Sequence, residues 1–178
     1  MNTGQTLITI GAIILLSVVL LRINTNFLTT QTVLSNTRGE VMAISLATST
    51  MEKASSLSFD AKSDTNSVVS TNQLTPYSDL GPEAGETSDT LFNDFDDYNG
   101  FSRQDTLASG VYTTICKVEY VNPLAPDDPV NNETWHKKLT VKVTGNTMIQ
   151  DWNTMVQDTI TFSSIFSYWF FLNMSGGG

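Results

Sequence analysis

The chain has 178 residues, which is enough for one domain with an appendage and too few for a multidomain enzyme. Charged residues make up only 15% of it, where about 25% is usual, and Ser, Thr and Asn replace much of the missing charge. The net charge is −9 and the sequence has no Lys/Arg cluster that could neutralise phosphates, which argues against nucleic acid as a partner. A single Cys and a single His exclude an intrachain disulfide and disfavour zinc sites and most familiar enzyme classes.

The charge is unevenly distributed along the chain. Residues 1–57 carry a net charge of +1, residues 58–105 a net charge of −8, and the remainder a net charge of −2. Segments that differ this much in electrostatics are expected to have different roles.

The first apolar run covers residues 7–21 and ends before the first charged residue, Arg22. As a helix this run spans about 22 Å, somewhat less than the ~30 Å hydrocarbon core of a bilayer, although Thr6 and Ile23 extend it. It therefore predicts a short membrane-spanning segment. A cleaved secretory signal is the less favoured interpretation, because no basic residue precedes the run and no small-x-small cleavage site follows it.

The same helix is expected to continue through residues 23–57, which contain no Pro. One apolar stripe recurs at helical spacings of three, four and seven and consists of Ile23, Phe27, Leu34, Val41, Ile44 and Met51. A second apolar set covers much of the other side and consists of Met42, Ala43, Leu46, Ala47, Ala54 and Leu57. A helix that is apolar on more than one face is expected to pack against more than one neighbour.

The start of the chain resembles the type IV pilin superfamily. Gly4 matches the glycine that ends the leader in that family, and Thr6-Leu7-Ile8 match the tripeptide that follows the first mature residue. Gln5 stands where the family has Phe or Met, and Thr9 stands where it has a Glu that meets the N-terminal amine of a neighbouring subunit. The resemblance implies cleavage between Gly4 and Gln5, methylation of the new N-terminus, and storage in the inner membrane before polymerisation.

A second resemblance lies in the acidic stretch of residues 93–101, Asn-Asp-Phe-Asp-Asp-Tyr-Asn-Gly-Phe. It is similar to a stretch of some pilin-like proteins, including minor pilins of mannose-sensitive haemagglutinin systems. The stretch lies within residues 58–109, which are rich in Ser, Thr, Asp and Asn and have no sustained hydrophobic period. These residues are predicted to form a long, irregular acidic loop.

Two interpretations of the acidic stretch remain open. Its carboxylate and amide oxygens are hard ligands of the kind that Ca²⁺ prefers, and Gly100 allows a sharp turn among Asp94, Asp96, Asp97 and Asn99. The stretch is not an EF-hand loop, because Phe95 occupies one ligand position and the twelfth-position Glu is missing. The alternative is a turn in which the Asp and Asn side chains bond their own backbone. No other cofactor is predicted.

The last third of the chain reads as a small antiparallel sheet, with strands over residues 111–121, 135–144 and 159–168. Alternation places three apolar rows on one face: Tyr112, Cys116, Val118 and Tyr120; Trp135, Leu139, Val141 and Val143, interrupted by Lys137; and Ile160, Phe162, Phe166 and Tyr168. Residues 122–134, which contain three prolines, are predicted to be an exposed connection, and Gly145-Asn146 to be a turn.

These elements predict an α+β fold in which a long N-terminal hydrophobic α-helix packs, through its C-terminal half, on a small antiparallel β-sheet head with a long acidic loop. Residues 1–57 form the helix, with an assembly or membrane segment at 5–23 and an amphipathic part at 24–57. Residues 58–178 form the head.

No catalytic residue is predicted, so the chain is not expected to be an enzyme. Cys116 is assigned to an apolar face and His136 to a polar one, so they should not form a nucleophile–base pair. Asp96 and Asp97 are adjacent in a loop and lack the opposed placement that acid–base chemistry needs. Asn132 and Asn173 each begin a glycosylation acceptor pattern, which is short and matches often by chance.

Two functions of different class follow. The first is a structural subunit of an extracellular, pilus-like filament on the cell surface, a homopolymer held together by its N-terminal helices. Its assembly residues are Leu7, Ile8, Ile10, Ile13, Ile14, Leu15, Leu16, Val18, Val19, Leu20 and Leu21. The second is a pseudopilin-like or receptor-type binding component that is anchored singly in a membrane and does not polymerise.

The C-terminal run of Trp169, Phe170, Phe171 and Leu172 is the last candidate site. If these residues continue a strand, some of them must face away from the core of the head, since alternate side chains point to opposite faces. They then form a subunit contact, unless the sheet, the helix and the acidic loop cover both faces from within.

Overall fold

The computed structural model describes residues 2–63, 68–151 and 156–175, and it has the predicted α+β fold. Helix α1 (Thr3–Ser55) is followed by strands β1 (Ser102–Leu107), β2 (Gly110–Asn122), β3 (Ala125–Pro129), β4 (His136–Asp151) and β5 (Val156–Ser167), and by helix α2 (Tyr168–Ser175). Three short 3₁₀ turns, at Thr71–Gln73, Tyr77–Asp79 and Asp96–Tyr98, lie in the predicted acidic loop.

The five strands form one antiparallel sheet with the order β1-β2-β4-β5, and β3 pairs with the end of β2. At its centre Cys116 of β2 lies opposite Val141 of β4, and Val141 lies opposite Phe162 of β5. The side chains of Tyr112, Cys116, Val118 and Tyr120 are buried, as the alternation in β2 predicts.

The chain divides into two compact units, Met1–Arg38 and Gly39–Gly178, so the division falls inside α1. Within the second unit, α1 buries a row of small residues spaced three or four apart: Gly39, Ala43, Ala47, Thr50 and Ala54. Small side chains allow the helix backbone to come close to the sheet, and a Cβ at Gly39 would lie only 3.1 Å from Met148 Cγ of β4. Val41 and Ile44, from the stripe of larger residues, are 57% and 41% exposed.

Several expected loops are strands. β1 lies within the predicted irregular segment 58–109, and β3 lies within the predicted exposed connection 122–134. Prolines do not prevent β3 from pairing because it is a short flanking strand that needs few ladder hydrogen bonds, and Pro129 lies opposite Val121. β5 is an edge strand, so its predicted buried row is covered only in part: Phe166 is buried, whereas Phe162 is 37% exposed.

The predicted turn at Gly145-Asn146 is also wrong, because β4 continues through both residues to Asp151. Gly145 is needed there for space. It lies opposite Tyr112, and a Cβ at Gly145 would lie 2.7 Å from Cε1 of the buried Tyr112 ring and 3.1 Å from Met148 Sδ. The glycine that predicted a turn is present because the buried Tyr112 ring packs closely against the backbone at this position.

Replacing Gly145 with Ala is therefore expected to destabilise the head by about 1–3 kcal/mol, the usual effect of overpacking a well-packed core. Urea denaturation of the full chain in detergent micelles, followed by Trp fluorescence, measures this loss. Lys142→Ala, at an exposed position of the same strand, is the control and should change the free energy of unfolding by about 0.5 kcal/mol or less. Equal stability of Gly145→Ala and the wild type would contradict the packing argument.

Candidate functional site

The predicted assembly residues form a continuous exposed apolar surface on α1. Every large apolar side chain between Leu7 and Leu21 is 47–74% exposed. Helix α1 is long and apolar enough to cross a membrane, and the apolar stretch that satisfies this criterion has no residue buried in the structure.

The exposed apolar surface does not end at Leu21. The side chains of Ile23, Phe27, Leu28, Val33 and Leu34 are 45–61% exposed. Residues 7–34 of a helix span about 40 Å at 1.5 Å per residue, compared with ~30 Å for the hydrocarbon core of a bilayer. We call the large apolar side chains of residues 7–34 the N-terminal apolar surface, and it is longer than one membrane span requires.

The hydroxyl groups in this part of α1 bond to the helix itself. Thr9 Oγ1 donates to the carbonyl oxygen of Gln5 at 2.9 Å, and Ser17 Oγ donates to that of Ile13 at 2.8 Å. Thr25, Thr29, Thr30 and Thr32 make the same bond to the residue four positions earlier. Because these hydroxyls are satisfied within the helix, they do not oppose packing against an apolar neighbour.

The predicted cleavage position lies in the first turn of α1. The backbone N–H of Gln5 donates to the carbonyl oxygen of Asn2 at 2.9 Å, and a Cβ at Gly4 would meet no atom within 4 Å. The Thr9 hydroxyl makes the internal hydrogen bond to Gln5 described above.

The acidic stretch is attached to the rest of the head at both ends. Phe95 N–H donates to the carbonyl oxygen of Ser58 at 2.9 Å, just after α1. At the other end, Gly100 N–H donates to the carbonyl oxygen of Cys116 in β2 at 3.2 Å. Gly100 has φ of +78°, a left-handed backbone that glycine adopts without the strain of a side chain.

The four predicted cation ligands have two different surroundings. Asp94 Oδ1 accepts the backbone N–H groups of Asp96 and Asp97, and Asp97 Oδ2 accepts those of Asn93 and Asp94 at 2.8 and 3.0 Å. These bonds are those of the predicted turn. Asn99 bonds elsewhere, since its Nδ2 donates to the Leu80 carbonyl and its Oδ1 accepts the N–H of Val118.

Asp94 and Asp97 are joined by Glu83, which is not among the ligands predicted from the sequence. Carboxylate oxygens of Glu83, Asp94 and Asp97 lie within 4.8 Å of one another, and both Asp side chains are fully buried. Glu83 is eleven residues before Asp94 and belongs to no local spacing pattern, so only the folding of the loop brings it here. Glu86 is also close: its Oε2 accepts the N–H of Glu83, and its Oε1 accepts from Asn93 Nδ2.

Burial and mutual repulsion weaken the acidity of this cluster. Burial, followed by the negative charge of Asp96, raises the pKa of Asp94 to about 9. Partial desolvation and the neighbouring Glu86 raise the pKa of Glu83 to about 7. The pKa of Asp97 is raised as well, mainly by burial. The fold therefore holds three carboxyl groups in a place that disfavours their charged form.

Asp96 belongs to a different site, the buried lysine centre of Lys137, Asp60 and Asp96. Lys137 Nζ donates to Asp60 Oδ2 at 2.8 Å, to Asp96 Oδ1, and to the carbonyl oxygen of Phe59 at 2.9 Å. It also lies 4.7 Å from the centre of the Phe59 ring. The lysine that interrupts an apolar row in the sequence is thus a buried, fully bonded cation.

The electrostatics of this centre favour the charged pair. Burial alone would lower the pKa of Lys137, but Asp96 and Asp60 raise it above its ordinary value. Burial alone would raise the pKa of Asp60, but Lys137 and backbone N–H donors bring it below its ordinary value. The sequence carried no signal for this partner, because Asp60 and Lys137 are 77 residues apart.

The structure does not bring Cys116 and His136 together. Cys116 lies opposite Val141, five positions along β4 from His136, which corresponds to about 16 Å of strand. Burial raises the pKa of the Cys116 thiol to about 12 and lowers the pKa of His136. A thiol with so high a pKa is a buried apolar group rather than a nucleophile.

The two predicted glycosylation acceptors lie on the surface of the head. Asn132 and Asn173 are both exposed.

The C-terminal aromatic run, residues 169–172, lies in helix α2 rather than in a strand. Trp169 and Phe170 are 55% and 57% exposed, whereas Phe171 and Leu172 pack partly against the core. A helix separates these side chains by rotation about its axis, which a strand cannot do for four successive residues.

Comparison of this chain with protein-family models, with curated proteins and with solved structures finds no significant match.

Proposed function

We propose that this protein is the structural subunit of a pilus-like filament, held in a membrane before assembly and polymerised by packing of its N-terminal helices. The observation that carries the proposal is the N-terminal apolar surface of α1, which is exposed at every large apolar residue between Leu7 and Leu21 and again as far as Leu34.

The length of this surface favours assembly over simple anchoring. A single anchor needs about 20 apolar residues to cross a bilayer. Here apolar side chains remain exposed over about 40 Å of helix, and within the second unit Val41 and Ile44 are exposed as well. Large contiguous apolar surfaces mark interaction sites, and neighbouring copies of the same helix offer an apolar surface of matching length.

The head supplies a second contact in this proposal. Trp169 and Phe170 of α2 are exposed beside the edge strand β5, and aromatic side chains are favoured in protein interfaces. The acidic segment faces solvent in part and keeps the filament surface negatively charged. We therefore assign the helices to the filament core and the heads to its surface, with Trp169 and Phe170 between adjacent heads.

The competing function is a singly anchored, non-polymerising component, and the Thr9 position favours it. A Glu at that position can meet the N-terminal amine of a neighbour, whereas Thr9 carries no charge and its hydroxyl already donates to Gln5. Filaments of this chain would have to assemble without that ion pair, through apolar packing alone.

Negative-stain microscopy of material sheared from the cells, followed by mass spectrometry of the subunit N-terminus, tests the proposal. We expect filaments that consist mainly of this chain, and the N-terminal mass reports whether the chain begins at Gln5 and is methylated. Recovery of the chain only in the membrane fraction, with no filaments in sheared material, would support the singly anchored alternative.

A further inference from the structure

We propose that Glu83, Asp94 and Asp97 bind one calcium ion, which joins the acidic stretch to the preceding part of the loop. This inference concerns a site in the head and does not depend on polymerisation. It replaces the ligand set predicted from the sequence, because Asp96 is bonded to Lys137 and Asn99 to Leu80 and Val118.

The cluster contains buried oxygens without donors. Asp94 Oδ2 and Asp97 Oδ1 are buried and have no hydrogen-bond partner among the residues that the structure describes, although the other oxygen of each carboxylate accepts two backbone N–H groups. A buried carboxylate oxygen without a donor is costly. A bound cation gives these two oxygens the positively charged partner that no hydrogen-bond donor provides.

The cluster also lacks a neighbouring cation from the protein. In the described part of the chain, no Lys or Arg makes a salt bridge with Glu83, Asp94 or Asp97. The nearest buried cation, Lys137, is bonded to Asp60 and Asp96. Glu86 adds a fourth carboxylate beside the cluster. With its carboxyl groups in the charged form, the cluster has an excess of negative charge that a bound cation or protons must offset.

The spacing of the carboxylate oxygens fits a single calcium ion. Ca²⁺ binds oxygens at about 2.3–2.6 Å, so two oxygens on the same ion lie no more than about 5 Å apart. The ligand oxygens of Glu83, Asp94 and Asp97 lie within 4.8 Å of one another. The backbone bonds to Asp94 and Asp97 orient two of these carboxylates before any ion binds, and Glu83, which is exposed, leaves a side open for entry and for water ligands.

The test uses the full chain in detergent micelles, stripped with EDTA and returned to chelator-free buffer at about pH 7.5. Calorimetric titration with CaCl₂ should give one site per chain, and saturating CaCl₂ should raise Tm by about 5 °C or more, since a ligand of the folded state stabilises it by mass action. Excess EDTA should reverse the rise.

Two variants and one matched control make the test specific. Glu83→Gln changes an exposed residue and Asp97→Asn keeps an oxygen for the turn, so both variants should fold and both should lose at least tenfold in calcium affinity. Asp128→Asn removes an exposed carboxylate from β3 and should bind calcium as the wild type does. The proposal is overturned by absence of binding heat and of a Tm change in the wild type at about 5 mM CaCl₂. It is also overturned if Glu83→Gln and Asp97→Asn both keep the wild-type affinity.

Discussion

Replacing Ile14 with Asp is expected to abolish filament formation. Ile14 lies in the middle of the apolar run 7–21, is 60% exposed, and has exposed apolar side chains on both sides along α1. In a bundle of such helices, the substitution would bury one carboxylate without a partner in every subunit, and an isolated buried charge costs several kcal/mol in each copy. Microscopy of sheared material and quantification of the chain in that fraction measure the loss.

The matched control is Ile14→Leu, which keeps the volume and the apolar character of the side chain and should give the wild-type yield of filaments. The chain must also be measured in the membrane fraction, because an Asp in the centre of a span opposes insertion by about 2.5–3.5 kcal/mol. We expect Ile14→Asp chains to accumulate in the membrane without filaments. Filaments of normal yield from Ile14→Asp chains would show that the helix is not the assembly core.

Replacing Lys137 with Ala is expected to destabilise the head by about 3–5 kcal/mol, the usual effect of removing one partner of a buried ion pair. Lys137 and Asp60 have fully buried side chains and Asp96 is nearly so. Without the lysine, two carboxylates would stay in the core with no cation, and the carbonyl oxygen of Phe59 would lose its donor. Urea denaturation of the full chain in detergent micelles at about pH 7 measures the loss.

Lys138→Ala is the matched control for this experiment. Lys138 is the next residue of β4, is half-buried, and among the described residues its ammonium group donates to the carbonyl oxygen of Pro126 at 2.8 Å, so its loss should cost about 1 kcal/mol or less. A comparable loss of stability in Lys137→Ala and Lys138→Ala would contradict the assignment of a buried ion pair at Lys137.

The loss in Lys137→Ala should depend on pH in a defined direction. The folded-state pKa of Asp60 lies below its ordinary value. Its contribution to stability is therefore present above the unfolded pKa of about 3.9 and is lost as the pH falls through the folded value. In the variant, Asp60 has no cation and gains stability on protonation. The difference between the wild type and Lys137→Ala should thus be full at about pH 7 and shrink as the pH falls below about 5. A difference that grows in acid would exclude this origin.

The periodicity of the sequence was sufficient for the main elements of this fold. The charge-free run and the absence of Pro predicted a single long helix, and α1 extends from Thr3 to Ser55. Period-two alternation predicted the central strands, because a sheet with one face against a core must alternate. Each of these patterns depends only on side chains that are a few residues apart. A single sequence is therefore sufficient to recognise them.

Only the tertiary structure decided which residues form sites. Local patterns selected Asp96 and Asn99 as ligands, but Asp96 is bonded to Lys137 from β4 and Asn99 to Val118 of β2. Glu83 joins Asp94 and Asp97 only through the path of the loop. Gly145, which reads as a turn, is instead a position where the Tyr112 ring leaves no room for a side chain.

The same holds for the end of the chain and for the long helix. Four successive large apolar residues suit either a strand or a helix, and α2 is stable here because Tyr168 and Phe171 pack against the core. On α1, the sequence identified two apolar sets, but it did not say which one the head would cover. The sheet covers the small residues because it approaches the backbone closely, and Val41 and Ile44 of the large apolar stripe stay exposed. Periodicity is a property of neighbouring residues, whereas a partner distant in the chain is set by the packing of the whole head.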